Sequence, residues 1–243
     1  MSDASPVTRA VFFDVDFTLI HPGPAFQGGG YRDFCAAHGV AVDPAGFDDA
    51  VAAASPLLDA SGGIYDPQVF IDYTRRIIEG MGGTGPAVDA AARDIYDQWA
   101  ACHHFTMYEE VPEVLRALHT AGLLIGLISN TQRSLATFEK HFALDGLFAV
   151  ALSSSDHGYM KPHPSIFEAA LGAIAVEPQH AVMVGDSVPH DIEGALRLGM
   201  RGVLVARGGP PPVCPPHVAV IQSLRELPDV LALPHRASLI SHP

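Results

Sequence analysis

The sequence predicts an α/β fold in which a mainly parallel sheet is covered by helices on both faces and a helical segment is inserted after the first strand. Three observations carry this. Short apolar runs stop abruptly on polar residues, as strands buried on both faces do. From residue 110 onward such runs alternate with helical patterns, the order expected of parallel strands joined by right-handed crossovers. Between about residues 21 and 108 helical patterns follow one another with no buried strand among them.

The first strand is Ala10-Val-Phe-Phe, closed by Asp14. Helices are expected over Tyr31 to His38, Phe47 to Leu58, Pro67 to Gly80 and Pro86 to Cys102, and Gly28-Gly-Gly30, Gly62-Gly63 and Gly82-Gly83 read as breaks between them. A helix over Pro112 to Ala121, closed by Gly122, leads into the strand Leu123 to Ile128, which stops at Ser129-Asn130. A helix over Ser134 to His141, a strand over Phe148 to Leu152 and a helix over Pro164 to Leu171 follow. The strand Ala181 to Val184 stops at Gly185-Asp186, His190 to Leu198 reads as a helix closed by Gly199, and Gly202 to Ala206 and His217 to Ile221 are the last strands. Proline near a start and glycine just past an end are the expected helix punctuation. Pro210-Pro-Pro212 and Pro215-Pro216 mark a loop, and a short helix falls near Ser223 to Leu231. Residues 1–20 and 109–243 are therefore expected to build one α/β core, and residues 21–108 a helical cap domain.

Composition narrows the class of partner. Of 243 residues, 48% are hydrophobic and 17% charged, the balance of a chain that folds by burial. Fourteen Lys+Arg against 27 Asp+Glu give a formal charge of -13, a field that repels nucleic acid and anionic membrane surfaces. A phosphorylated ligand then needs locally arranged cations, one of them a metal. Cys35, Cys102 and Cys214 have neither the count nor the spacing of a disulfide framework, and no apolar run approaches the ~20 residues that span a bilayer. A cytoplasmic protein, monomer or homodimer, is expected.

In open α/β sheets ligands bind beyond the carboxyl ends of the strands, which directs attention to the polar residues that end the apolar runs. These are Asp14-Val-Asp16-Phe-Thr18, Ser129-Asn130 and Gly185-Asp-Ser-Val-Pro-His-Asp191, joined by Lys161 in Met160-Lys-Pro-His-Pro164. Bringing Asp14, Asp16 and Asp186 into one crevice is untenable without a cation, and Mg²⁺, which takes oxygen ligands and usually keeps water and phosphate in its shell, suits the set. An aspartyl carboxylate can attack phosphorus to give an acyl phosphate, a role for Asp14. A second carboxyl group then exchanges protons with the leaving oxygen and the attacking water, a role for Asp16. Ser129, Lys161 and the metal would meet the equatorial phosphoryl oxygens, aided by backbone amides of a helix beginning near Thr131. Asp191 would hold a metal-bound water or orient Lys161. Thr18 and Asn130 read either as local caps or as substrate contacts, and Cys102-His-His104 reads as structural. Arg32, Arg75, Arg76 and Arg93 fall in the cap segment and are expected mostly on solvated helix faces; one of them could reach over the core to the substrate's remote end, Arg32 being favoured as nearest the expected entrance.

Taken together, Asp14-Val-Asp-Phe-Thr18, Leu127-Ile-Ser-Asn130, Lys161-Pro and Gly185-Asp-Ser-Val-Pro-His-Asp191 resemble the four ordered motifs of the haloacid dehalogenase superfamily, and the likeness covers nearly the whole chain. The resemblance implies a Rossmann-like core with an inserted cap, and a Mg²⁺-dependent phosphatase acting on a small phosphorylated metabolite. It implies Asp14 as nucleophile, Asp16 as acid/base and as a metal ligand through its backbone carbonyl, Ser129 and Lys161 on phosphate, and Asp186 and Asp191 at the metal. Phe17 and His190 stand where glycine and asparagine are common in that family. A phosphosugar mutase uses the same two aspartates, whereas a 2-haloacid dehalogenase works without metal and does not need Asp16. A non-catalytic binding module is the reading outside enzymology, and the retention of every charged site residue speaks against it.

Overall fold

The run Ala10–Phe13 becomes β1, the strand on which the rest of the molecule is built, in a computed structural model that describes residues 7–59, 63–208 and 212–233. After it come β2 (Ile20–Pro22) and the helices α1 (Gly28–Ala37), α2 (Phe47–Ala54), α3 (Pro56–Asp59), α4 (Pro67–Gly80) and α5 (Val88–Trp99). Then follow β3 (Phe105–Met107), α6 (Val111–Thr120), β4 (Leu124–Ser129), α7 (Leu135–His141), β5 (Val150–Ser153), α8 (Ser154–His157) and α9 (Pro164–Ala173). β6 (Ala181–Gly185), α10 (Glu193–Arg197), β7 (Arg201–Val205), β8 (Ala219–Ile221) and α11 (Leu227–Val230) complete the described chain.

Among the described residues the core is a six-stranded sheet in the order β5-β4-β1-β6-β7-β8, with every neighbouring pair parallel. All four residues of β1 are buried because both faces are covered. Val11 and Phe13 share one apolar cluster with Leu115 and Leu118 of α6, whereas Ala10 and Phe12 share another with Ile166 and Phe167 of α9. Register brings the strand ends level: Phe13 lies opposite both Leu127 and Val184, so the residues that follow these strands open onto one edge of the sheet.

Several local expectations need correction. Gly28-Gly-Gly30 is the first turn of α1 and not a break. Packing requires glycine there, since a Cβ on Gly30 would lie 2.1 Å from the Ala25 carbonyl oxygen and one on Gly28 2.3 Å from that of Pro44. The helix expected over Phe47 to Leu58 divides at Ser55-Pro56, and the one expected to reach Cys102 ends at Trp99. The two passages between the sheet and the helical segment pair with each other as the antiparallel strands β2 and β3, which are too short to show a period in sequence. Gly62, Pro210, Pro211 and everything after residue 233 lie outside the described residues. No helix among the described residues is long and apolar enough to cross a membrane.

Candidate active site

Asp14 follows β1 directly, and its amide donates to the Val184 carbonyl at 2.9 Å, which extends the ladder by one residue and fixes where the side chain emerges. Both carboxylate oxygens are engaged: Lys161 Nζ donates to Oδ1 at 2.6 Å and Thr18 Oγ1 to Oδ2 at 3.1 Å. The same ammonium donates to Asp191 Oδ1 at 2.7 Å, so Asp191 orients Lys161. Burial works against the Lys161 ammonium, but the flanking Asp14 and Asp191 carboxylates outweigh it and hold the group above the ordinary lysine range.

Asp191 owes its position to a single π turn, Val188–Ile192, capped by the Ser187 side chain, where a continuous α-helix was expected over His190 to Leu198. Its second oxygen accepts from the Ser187 amide at 3.0 Å. Gly185 is required beneath it, because a Cβ there would sit 2.2 Å from Asp191 Oδ2. Asp14, Asp186 and Asp191 each offer a carboxylate oxygen to one cluster in which these atoms all lie within 4.8 Å of one another. Burial pushes the Asp14 carboxyl up to about 7, with Lys161 opposing and Asp191 adding to the shift. Burial likewise pushes Asp186 up to about 8, reinforced by Asp14 and Asp191. Two buried carboxyl groups and one partly buried one thus crowd a single ammonium, and an all-oxygen set of this kind fits a hard divalent cation.

Ser129 ends β4, lines the same cavity as Asp14 and Lys161, and has a buried hydroxyl oxygen with no hydrogen-bond partner. A buried, unsatisfied hydroxyl in a native site calls for an explanation, and a ligand oxygen supplies one. Asn130 is committed elsewhere, donating to the Lys161 carbonyl at 2.9 Å and accepting from the Lys161 amide at 2.7 Å, an exchange that pins the backbone carrying the ammonium. Thr18 is fully buried and spends its hydroxyl on Asp14, so it does not face the cavity. No helix begins near Thr131: α7 starts at Leu135 with Ser134 as its cap, and residues 130–133 are an irregular bend. Arg32 is exposed and pairs with its neighbour Asp33 at 2.8 Å, away from the cavity.

The Asp16 carboxylate lies outside the three-residue cluster and turns to Arg133, whose Nη1 donates to Asp16 Oδ1 at 2.7 Å. Sequence reading passed over Arg133, although it is fully buried, donates from Nη2 to the Trp99 carbonyl at 2.8 Å and stacks on the Phe105 ring at 4.1 Å. Arg207 was also missed. It follows β7, donates to the Thr18 carbonyl at 3.0 Å and to Glu110 at 2.7 Å, and so braces the loop that holds Asp14. The available signal for Arg207 was its place just past a strand end; Arg133 lay in a stretch read as the start of a helix. Phe17 has φ 65°, the left-handed region, which accounts for the suitability of glycine at this position.

The sequence model of the haloacid dehalogenase-like hydrolases matches residues 8–199, and the chain belongs to that family. Among curated relatives, the haloacid dehalogenase-like hydrolase domain-containing protein 3 of Bos taurus is 30% identical over 218 residues, covering 85% of this chain and 84% of the bovine protein. The glyceraldehyde 3-phosphate phosphatase of Pyrococcus furiosus is 30% identical over 209 residues, 80% of this chain and 79% of the relative. Among solved structures, the HAD-hydrolase YfnB of Bacillus subtilis bound to magnesium superposes with a TM-score of 0.77 at 17% identity, over 93% of this chain and 100% of YfnB, a likeness of fold.

Proposed function

We propose that this hydrolase cleaves small phosphate monoesters through an aspartyl phosphate on Asp14, with Mg²⁺ held by Asp14, Asp186, Asp191 and the Asp16 backbone, and with residues 21–108 acting as a cap over residues 1–20 and 109–243. The observation that carries the reading is the convergence of three carboxylates on one cavity with Lys161 and the unpartnered Ser129 hydroxyl. A relative named as a phosphatase at 30% identity supports the same reaction class.

In the first step a carboxylate oxygen of Asp14 forms a bond to phosphorus as the bond from phosphorus to the ester oxygen breaks, and the departing alkoxide takes a proton from Asp16. Lys161 orients the nucleophile and meets a phosphoryl oxygen, and Ser129 donates to another. In the second step Asp16 takes a proton from water as it attacks phosphorus, the acyl-phosphate P–O bond breaks, and Asp14 is restored with release of phosphate. A bound divalent cation would supply the positive charge that keeps Asp14 and Asp186 ionised and offsets charge on the phosphoryl oxygens.

Steady release of inorganic phosphate from a panel of phosphate monoesters is expected in Mg²⁺, lost on chelation and restored by Mg²⁺. Because the ion binds the folded chain alone, Mg²⁺ at 100 times its dissociation constant should stabilise it by about 2.7 kcal/mol, which for a chain of this size raises the thermal midpoint by roughly 5–10 °C. Phosphate release and a midpoint both indifferent to chelator, or halide release from 2-haloacids without metal, contradict the reading.

A further inference from the structure

We propose that the leaving group this site accepts is uncharged and predominantly apolar or aromatic, because the cavity above Asp14 is walled mainly by apolar and aromatic side chains of the helical insertion, which among the described residues contributes no charged side chain to it. The inference rests on the phosphatase reading and narrows its substrate class.

The cavity has a volume of about 580 Å³, within the range of small-molecule sites. Its floor is the polar cluster of Asp14, Ser129, Lys161, Asp186 and Asp191. Its opposite wall is built from the inserted segment, with Phe26, Phe47 of α2, Phe70 and Ile77 of α4, and Ile95 and Trp99 of α5 facing the space. The polar side chains on that wall, Gln27, Tyr31, Tyr73, Thr74 and Tyr96, are uncharged; the Tyr96 hydroxyl meets Tyr65 at 2.6 Å, Thr74 Oγ1 donates to the Phe70 carbonyl at 2.9 Å, and Gln132 from the core donates to the Tyr96 carbonyl at 2.5 Å.

The arginines of the insertion that could grip a second anionic group stay off the lining. Among the described residues Arg75 pairs with Asp72 at 2.8 Å and Arg76 with Glu79 at 3.6 Å, Arg32 pairs with Asp33, and Arg93 is exposed; none of the four lines the cavity. On the floor, Lys161 is bonded to Asp14 and Asp191, and His190 meets the Ser187 hydroxyl at 3.0 Å. A carboxylate or second phosphate at the remote end of the substrate would thus leave water for a wall that offers it no counter-charge, Lys161 and a bound cation being committed to the floor and the transferring phosphoryl group, a transfer that disfavours it. An alkyl or aryl group would displace water from the same surface and gain from burial.

The test compares kcat/KM in Mg²⁺ for 2-phenylethyl phosphate, phosphoglycolate and pyrophosphate, with p-nitrophenyl phosphate as the measure of general turnover. The first two leave as comparable alkoxides, so their ratio reads recognition of the remote end. A preference of at least about tenfold for 2-phenylethyl phosphate over both anionic compounds is expected. Val51→Arg, which sets a cation on the partly exposed α2 wall, should narrow the preference over phosphoglycolate by about tenfold. Equal or reversed preference while p-nitrophenyl phosphate is turned over overturns the inference and leaves the phosphatase reading standing. No turnover of any of the four compounds overturns both.

Discussion

Asp14→Asn is expected to fold and to lose phosphatase turnover by at least about 10⁴-fold, because it deletes the proposed nucleophile, on which both proposed steps depend. The substitution should not unfold the chain. Burial has already pushed the Asp14 carboxyl up to about 7, so a neutral amide of the same shape spares the site a poorly solvated charge, while Lys161 keeps its 2.7 Å contact with Asp191. Stabilisation by Mg²⁺ should shrink in the same variant, since one of three clustered carboxylates is gone. Circular dichroism, thermal unfolding with and without Mg²⁺, and phosphate release together check the expectation; near-normal turnover contradicts it.

Arg133→Met is expected to cost about 3 kcal/mol of stability, because truncating one partner of a buried ion pair leaves the other unpaired. Arg133 joins three segments far apart in sequence: Asp16 after β1, the Trp99 carbonyl at the end of α5, and the Phe105 ring in β3. Removing it strands the Asp16 carboxylate, whose side chain is only 14% exposed, and frees the helical insertion at its junction with the sheet. Arg133→Lys should recover only part of the loss, since an ammonium cannot donate from a rigid fork to Asp16 and Trp99 together. Denaturant unfolding reads both variants. A loss below about 0.5 kcal/mol, the ordinary range of a surface substitution, contradicts the assigned role.

What could be read from the sequence follows from where the information is local. The sheet was legible because parallel strands buried on both faces must be apolar throughout and must end where the ligand edge begins, so Asp14, Ser129 and Gly185-Asp186 announced the ends of β1, β4 and β6. Lys161, which follows no strand, came from the company it keeps in the motif set. What stayed hidden was set by contacts distant in sequence. Nothing near Arg133 signals that Asp16, 117 positions away, will pair with it. The glycines at 28–30 read as a break because local propensity says so, whereas the approach of Ala25 and Pro44 decides their use in α1. Arg32 looked like a substrate contact by position alone, and the rotation of α1 places it in solvent beside Asp33. The commitment of Thr18 to Asp14, and of Asn130 to the Lys161 backbone, likewise depends on how separate strand ends meet.

The nucleophile itself can be identified chemically. A single-turnover reaction with p-nitrophenyl phosphate, quenched in acid and reduced with borohydride, converts an aspartyl phosphate to homoserine, which peptide mass spectrometry assigns to a position. Homoserine at residue 14, absent when substrate is omitted and absent in Asp14→Asn, is the predicted result. Release of phosphate in the same turnover with residue 14 unmodified and another carboxyl group reduced in its place would contradict the account.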